Sequence, residues 1–144
     1  MTDTTASDID GWKPLKGNSF MSRIGPLYAQ RSEAGWRYGF QSGSDHANTV
    51  GLIHGGALSA IADQVMALVA WEAVDRAPLV TMQMDVSFLS AARPGAFLEA
   101  EARIVHKSGS TIFMETLISA GDRPVARASA VMKIAKSRPS GDDQ

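Results

Sequence analysis

A histidine, two glycines and an aspartate punctuate one long apolar run, NTVGLIHGGALSAIADQVMALVAW, from Asn48 to Trp71. Gly55 and Gly56 are poor helix formers, but at a helix start their unpaired N–H groups point outward with the positive end of the dipole. Without side chains they let a ligand carbonyl come close, and such a place stabilises an oxyanion. Asp63 is flanked by Ala60, Ile61, Ala62, Val65 and Met66, with Gln64 as its polar neighbour. A carboxylate buried without a partner is costly and holds its proton more tightly, the condition in which it can act as a general base. Structural alternatives stand beside these readings: Asp63 solvated or paired on one exposed stripe, and His54 capping or packing instead of reacting.

The element that must position these residues is a helix. From Gly55 to about Asp75 no glycine or proline intervenes after Gly56, and Ala, Leu, Ile, Val and Met dominate. The pattern predicts a helix of roughly 20 residues, apolar nearly all round and so buried on most sides. His54 and Asp63 are nine residues apart. At ~100° and ~1.5 Å per residue, Asp63 lies about 13 Å along the axis and on the opposite side. Within one chain the two can hardly share a site. If both serve one reaction, the helix start of one subunit must meet the helix middle of another, most simply in a two-fold dimer.

A helix so apolar needs a wrapping, which the rest of the chain supplies in strands. NSFMSRIG reads as a short helix capped by Asn18 and stopped near Gly25 and Pro26, and LYAQRSEAGWRYGFQ as a hairpin turning at Ala34–Gly35. In LVTMQMDVSFLS, strict alternation puts Val80, Met82, Met84, Val86 and Phe88 on one face, with Thr81, Gln83, Asp85 and Ser87 on the other. FLEAEARIVH, TIFMETLIS and VARASAVMKIA follow with the same period, separated by KSGS and GDRP. Period-2 patterning with turns between predicts an antiparallel meander with one face on the core. One long helix followed by antiparallel strands gives an α+β fold, a sheet curled around a central helix. The polar ends, residues 1–12 and 136–144, are expected to be mobile around a single domain at 13–135.

The 144 residues, 44% of them hydrophobic and 20% charged, suit one globular domain. A formal charge of -1 offers no basic face for nucleic acid. The absence of cysteine excludes disulfides and a cysteine nucleophile and fits a reducing compartment. Three scattered histidines without cysteine are a poor zinc-binding set. The amino end is acidic and polar, unlike a secretion signal. The apolar run 57–71 is short for a bilayer and carries Asp63 and Gln64 at its middle. A cytoplasmic protein with no membrane partner is the simplest reading.

The stretch from Asn48 through HGGALSAIAD resembles the PaaI-type thioesterases of the hotdog superfamily, small enzymes that hydrolyse acyl-coenzyme A thioesters. The resemblance runs from near Trp36 to Ile134 in element order and motif placement. It implies a hotdog fold and a homodimer, possible pairing into a homotetramer, and sites lying between subunits. Asp63 matches the family's helix aspartate, which acts as general base on water or as nucleophile. Gly55 matches the glycine whose N–H polarises the thioester carbonyl, and His54 the histidine that positions the thioester end. Asn48 matches an asparagine near the reacting centre, and Thr81 the Ser or Thr that holds the attacking water. Gly56 and the cations Arg93, Lys107, Arg123 and Arg127 are candidates for holding the substrate. Many relatives carry a basic residue after the strand-turn glycine, whereas Ser110 follows Gly109 here. No cofactor is implied, since coenzyme A is part of the substrate. Met66, Trp71, Met82, Met84 and Phe88 could line an acyl tunnel or simply pack the core. Two other functions fit a hotdog shell: a noncatalytic acyl-CoA binder, which would not need the carboxylate, and an acyl-thioester hydratase or dehydratase, whose acid/base arrangement differs from HGGALSAIAD.

Overall fold

The computed structural model of the protein describes residues 9–16 and 19–135. Along the chain these form β1 (Lys13–Pro14), α1 (Phe20–Ile24), β2 (Leu27–Ser32), β3 (Gly35–Gln41), a 3₁₀ turn (Ser44–His46) and α2 (Gly55–Ala73), then β4 (Leu79–Phe88), β5 (Phe97–Ser108), β6 (Thr111–Ala120) and β7 (Arg123–Ile134). The strands make one sheet in the order β1-β2-β3-β5-β6-β7-β4, with every neighbouring pair antiparallel. α2 lies against this sheet, which is the expected hotdog arrangement. The tail 136–144, residues 1–8 and the proposed cap Asn18 lie outside the described residues.

α2 forms because its apolar residues have a core to enter. Leu58, Ile61, Ala62, Val65, Met66 and Ala70 are buried, and the sheet answers with Leu98, Met114, Ile118, Ala128 and Met132. Each large apolar side chain so buried contributes roughly 1.5–3 kcal/mol, which fixes a helix that would be marginal alone. The predicted hairpin turns where expected, between Ser32 and Gly35. α1 stops at Gly25, whose φ of 117° no other residue adopts comfortably. Trp12, counted with the amino-terminal tail in the sequence reading, is buried edge-on against Phe97, with ring centroids 5.2 Å apart.

The straight alternation expected in β4 breaks at Met82. Thr81 pairs with Met132, but the next pair is Gln83 with Val131, so Met82 is the extra residue of a β-bulge. One extra residue reverses side-chain parity. Thr81 therefore shares the core-facing side of buried Met132, together with Met84, Val86 and Phe88 beyond the bulge, whereas Val80 turns away. This corrects the placement of Thr81 on the outer face and of Val80 and Met82 toward the core. Val80, Met82 and Phe88 are 50%, 63% and 57% exposed, leaving an apolar edge strand open in the single chain.

Candidate active site

Two clusters form, one at the start of α2 and one at its middle. At the start, His54 is the N-cap: its Nδ1 accepts the Gly56 N–H at 2.8 Å, and its carbonyl accepts the N–H groups of Ala57 and Leu58. Among the described residues, that leaves Gly55 with the one N–H of the first turn that has no acceptor. The glycine pair also leaves room for two neighbouring rings. A Cβ on Gly56 would come within 2.9 Å of His54 Nδ1, and one on Gly55 within 3.0 Å of the Phe88 ring. Gly55, Asn48, Leu52, Phe88 and Ala92 line a pocket of about 350 Å³.

The loop leading into α2 is held by hydrogen bonds. Asn48 Oδ1 accepts the N–H groups of Val50 and Leu52, each at 3.0 Å, which fixes the carboxamide. Ile53 N–H donates to Ala92 O at 2.9 Å, and His54 N–H to His46 O at 2.7 Å. His46 is a residue the sequence reading missed. Its Nδ1 accepts the Gly43 N–H at 2.9 Å, which leaves Nε2–H to donate to Ile24 O, the last carbonyl of α1. The imidazole thus ties α1 to the loop, and its backbone carbonyl holds the helix cap. Nothing in the sequence distinguishes it from any other loop histidine, because its partners come from distant turns.

At the middle of α2, Asp63 is half-buried, and Thr81 Oγ1 donates to its Oδ1 at 2.7 Å. Of the two readings the sequence left open, the structure has the paired one: the carboxylate is neither enclosed nor without a partner, because the bulge at Met82 brings Thr81 to it. The second oxygen, Oδ2, makes no hydrogen bond among the described residues and can accept a proton from water. Gly55 lies eight residues earlier on α2, about 12 Å along the axis. One chain does not bring the two clusters together.

The remaining predicted residues divide between the two ends of the sheet. Arg123 donates to Ser90 Oγ at 3.1 Å and to Ala91 O, bracing the loop beside the Gly55 pocket, and Arg93 is exposed in the same loop. Lys107 sits at the opposite end of β5, just before the turn to β6, where it donates to Gly109 O at 3.1 Å. Gly56 has its N–H taken by His54 and so serves the cap. The five residues considered for an acyl tunnel do not converge: Met66 is core, Met82 is exposed at the bulge, and Trp71 lies under Arg76. Phe88 alone borders the pocket. A larger groove of about 710 Å³ runs over the outer sheet face beside Asp85, Arg103 and Arg127, away from both clusters. No helix among the described residues is long and apolar enough to cross a membrane.

Comparison with known proteins supplies a context for this geometry. The family model for the thioesterase superfamily matches residues 50–127. A candidate esterase of Pseudomonas aeruginosa is 27% identical over 87% of this chain and 96% of its own. The phenylacetic acid degradation protein PaaI of Thermus thermophilus, solved as a mutant, superposes with a TM-score of 0.72 at 24% identity, over 82% of this chain and 100% of its own. A hypothetical thioesterase of Streptococcus pneumoniae, solved with coenzyme A, gives a TM-score of 0.65 at 24% identity, over 72% of this chain and 80% of its own.

Proposed function

The chain belongs to the thioesterase superfamily, and from that membership we propose that it hydrolyses acyl-CoA thioesters at a site assembled from two copies. The observation that carries the reading is the division of one catalytic set between two places: an unpaired N–H at Gly55, and a carboxylate at Asp63 held by Thr81. The coenzyme A bound to the streptococcal relative supports the choice of thioester.

In this reading the thioester carbonyl accepts the Gly55 N–H of one copy, with the fixed Asn48 carboxamide beside it. Asp63 of the other copy takes a proton from water as the water oxygen bonds to the carbonyl carbon. Charge develops on the carbonyl oxygen, where the helix start stabilises it. Collapse breaks the C–S bond, coenzyme A leaves as thiolate, and the proton passes from Asp63 to the products. A thiolate is a good leaving group, so a base and an oxyanion site suffice. Thr81 holds one carboxylate oxygen and leaves the other to the water. Arg93 and Arg123, beside the Gly55 pocket, are better placed for the coenzyme's phosphates than Lys107.

Heterodimers test the two-copy site directly. Asp63→Asn and Gly55→Pro chains, each inactive alone, are co-expressed with different tags and purified as mixed dimers. Every mixed dimer then carries one intact site and one doubly damaged site, so thiol release should recover to about half that of the wild type. Mixed dimers as inactive as their parents, from an active wild type, would place the whole site within one chain. Saturable acyl-CoA binding with no thiol release by the wild type would favour the noncatalytic function.

A further inference from the structure

We infer that Phe88 selects the acyl group. Its exposed ring is the wall against which the carbon next to the thioester carbonyl must fit, so the site takes acyl groups unbranched at that carbon and rejects those that carry a substituent there. The inference rests on the thioesterase reading, with Gly55 as the donor to the carbonyl.

Phe88 is the last residue of β4, opposite Ala126 on β7 and on the helix side of the sheet. Its ring reaches across to α2 and ends over Gly55. The ring atoms Cζ, Cε1 and Cε2 lie 3.0, 3.3 and 3.5 Å from the place where a Cβ on Gly55 would stand, and no other side chain comes as near. Yet the residue is 57% exposed. A ring placed for packing alone would turn its area inward, where burial stabilises it. This one presents its free area to the pocket that it lines with Leu52, Leu89 and Gly55.

The backbone is fixed on both sides of the ring. Before it, the β4–β7 ladder runs through to the Phe88–Ala126 pair. After it, the N–H groups of Leu89 and Ser90 both donate to Val125 O, at 2.8 and 3.2 Å, and Ser90 Oγ donates to Pro124 O at 2.6 Å. The ring can therefore leave Gly55 only by its own side-chain torsions, and doing so would expose still more apolar surface. A carbonyl oxygen that accepts the Gly55 N–H sits about 2.9 Å from a nitrogen bonded to the Cα that the ring covers. The carbonyl carbon and its two neighbours, the sulfur and the acyl C2, then lie within van der Waals reach of the ring. A flat thioester followed by a CH₂ can lie along an aromatic wall. A methyl group on C2 stands out of that plane and meets the ring, whereas one on C3 is a bond farther away and can turn aside.

Isomeric substrates test the wall. Thiol release is measured on pairs of acyl-CoAs that differ only in whether one methyl group sits on C2 or on C3, for a short, a medium and an aryl-tipped chain. The wild type should favour the C3 isomer by about 10-fold to 200-fold in kcat/KM, the range over which one methylene is discriminated in an apolar pocket. Phe88→Ala should bring the isomers to within a few-fold of each other by raising the rate on the C2 isomer. Phe88→Leu keeps apolar bulk, guards against a failure of the alanine variant to fold, and should lie between. A ring that only closes the end of β4 would lower both isomers together on removal. An unchanged ratio of that kind, or a wild type indifferent to the position of the methyl group, would overturn the proposal and leave the thioesterase reading standing. No thiol release from any member of the series by folded wild type would sink that reading, and this inference with it.

Discussion

The two ends of the candidate site are built from different materials. Around Gly55 the work is done by backbone: a free N–H, a loop tied down by His46 and Asn48, and a cap that uses up the neighbouring donors. Around Asp63 it is done by two side chains, from α2 and β4, that meet through a single hydrogen bond. A backbone donor is fixed by many contacts and survives most substitutions nearby. A side-chain pair depends on one atom at each end, so the aspartate half should be the more fragile in activity and the glycine half the more costly in stability.

The largest expected effect lies on the fragile side. Asp63→Asn keeps the shape and the Thr81 hydrogen bond but removes the base, and thiol release should fall about 10³-fold, within the range of a lost general base. Steady-state assay on aryl-, short-, medium- and long-chain acyl-CoAs checks this, and full activity on any of them would reassign the base. Gly55→Pro attacks the other half with unusual selectivity. Proline is at home at the first helical position, and His54, at φ -62° and ψ 135°, already has the extended backbone that precedes proline. The N–H disappears while the helix remains, but the new Cβ also presses within 3.0 Å of the Phe88 ring. Gly55→Ala, which adds the same Cβ and keeps the N–H, is the control. The kcat of the proline variant should lie about 10²-fold below that of the alanine variant, with an unchanged circular-dichroism spectrum. An undiminished rate would remove Gly55 from the oxyanion site.

The same contrast marks what was legible in the sequence. The helix, its start at Gly55 and the hairpin at Ala34–Gly35 follow from local patterning, and the structure has them in those places. The separation of His54 from Asp63 follows from helical rise alone. Thr81 was different: strict alternation put it on the outer face, and only the resemblance singled it out. The deciding feature is one extra residue at Met82, and a bulge is a relation between β4 and β7 that β4's own sequence does not reveal. His46 was invisible for the same reason, since Ile24 O and Gly43 N–H reach it through tertiary packing.

Thr81 supplies the next test of the fragile half. Thr81→Val keeps the β-branched shape and removes only the hydroxyl, so the Asp63 carboxylate loses its one fixed oxygen. A neutral–charged hydrogen bond of this kind is worth about 1.5–3 kcal/mol, so kcat should fall roughly tenfold to a hundredfold with KM little changed. Thr81→Ser should restore most of it. A rise in KM at constant kcat would instead make Thr81 a substrate contact.

The smallest effect separates the two meanings of His54. As a cap, it satisfies the Gly56 N–H with Nδ1 and holds nothing else by its side chain among the described residues. His54→Ala should then cost about 1 kcal/mol, the usual loss for a removed N-cap, seen as a melting temperature lower by roughly 3 °C. The rate should change only a few-fold, because the Gly55 N–H is positioned by the loop and not by the imidazole. Asparagine is a preferred N-cap residue, so His54→Asn should recover both stability and rate. If His54→Asn restores the melting temperature while the rate stays low, the imidazole touches the thioester, and the backbone half of the site contains a side chain that matters for chemistry after all.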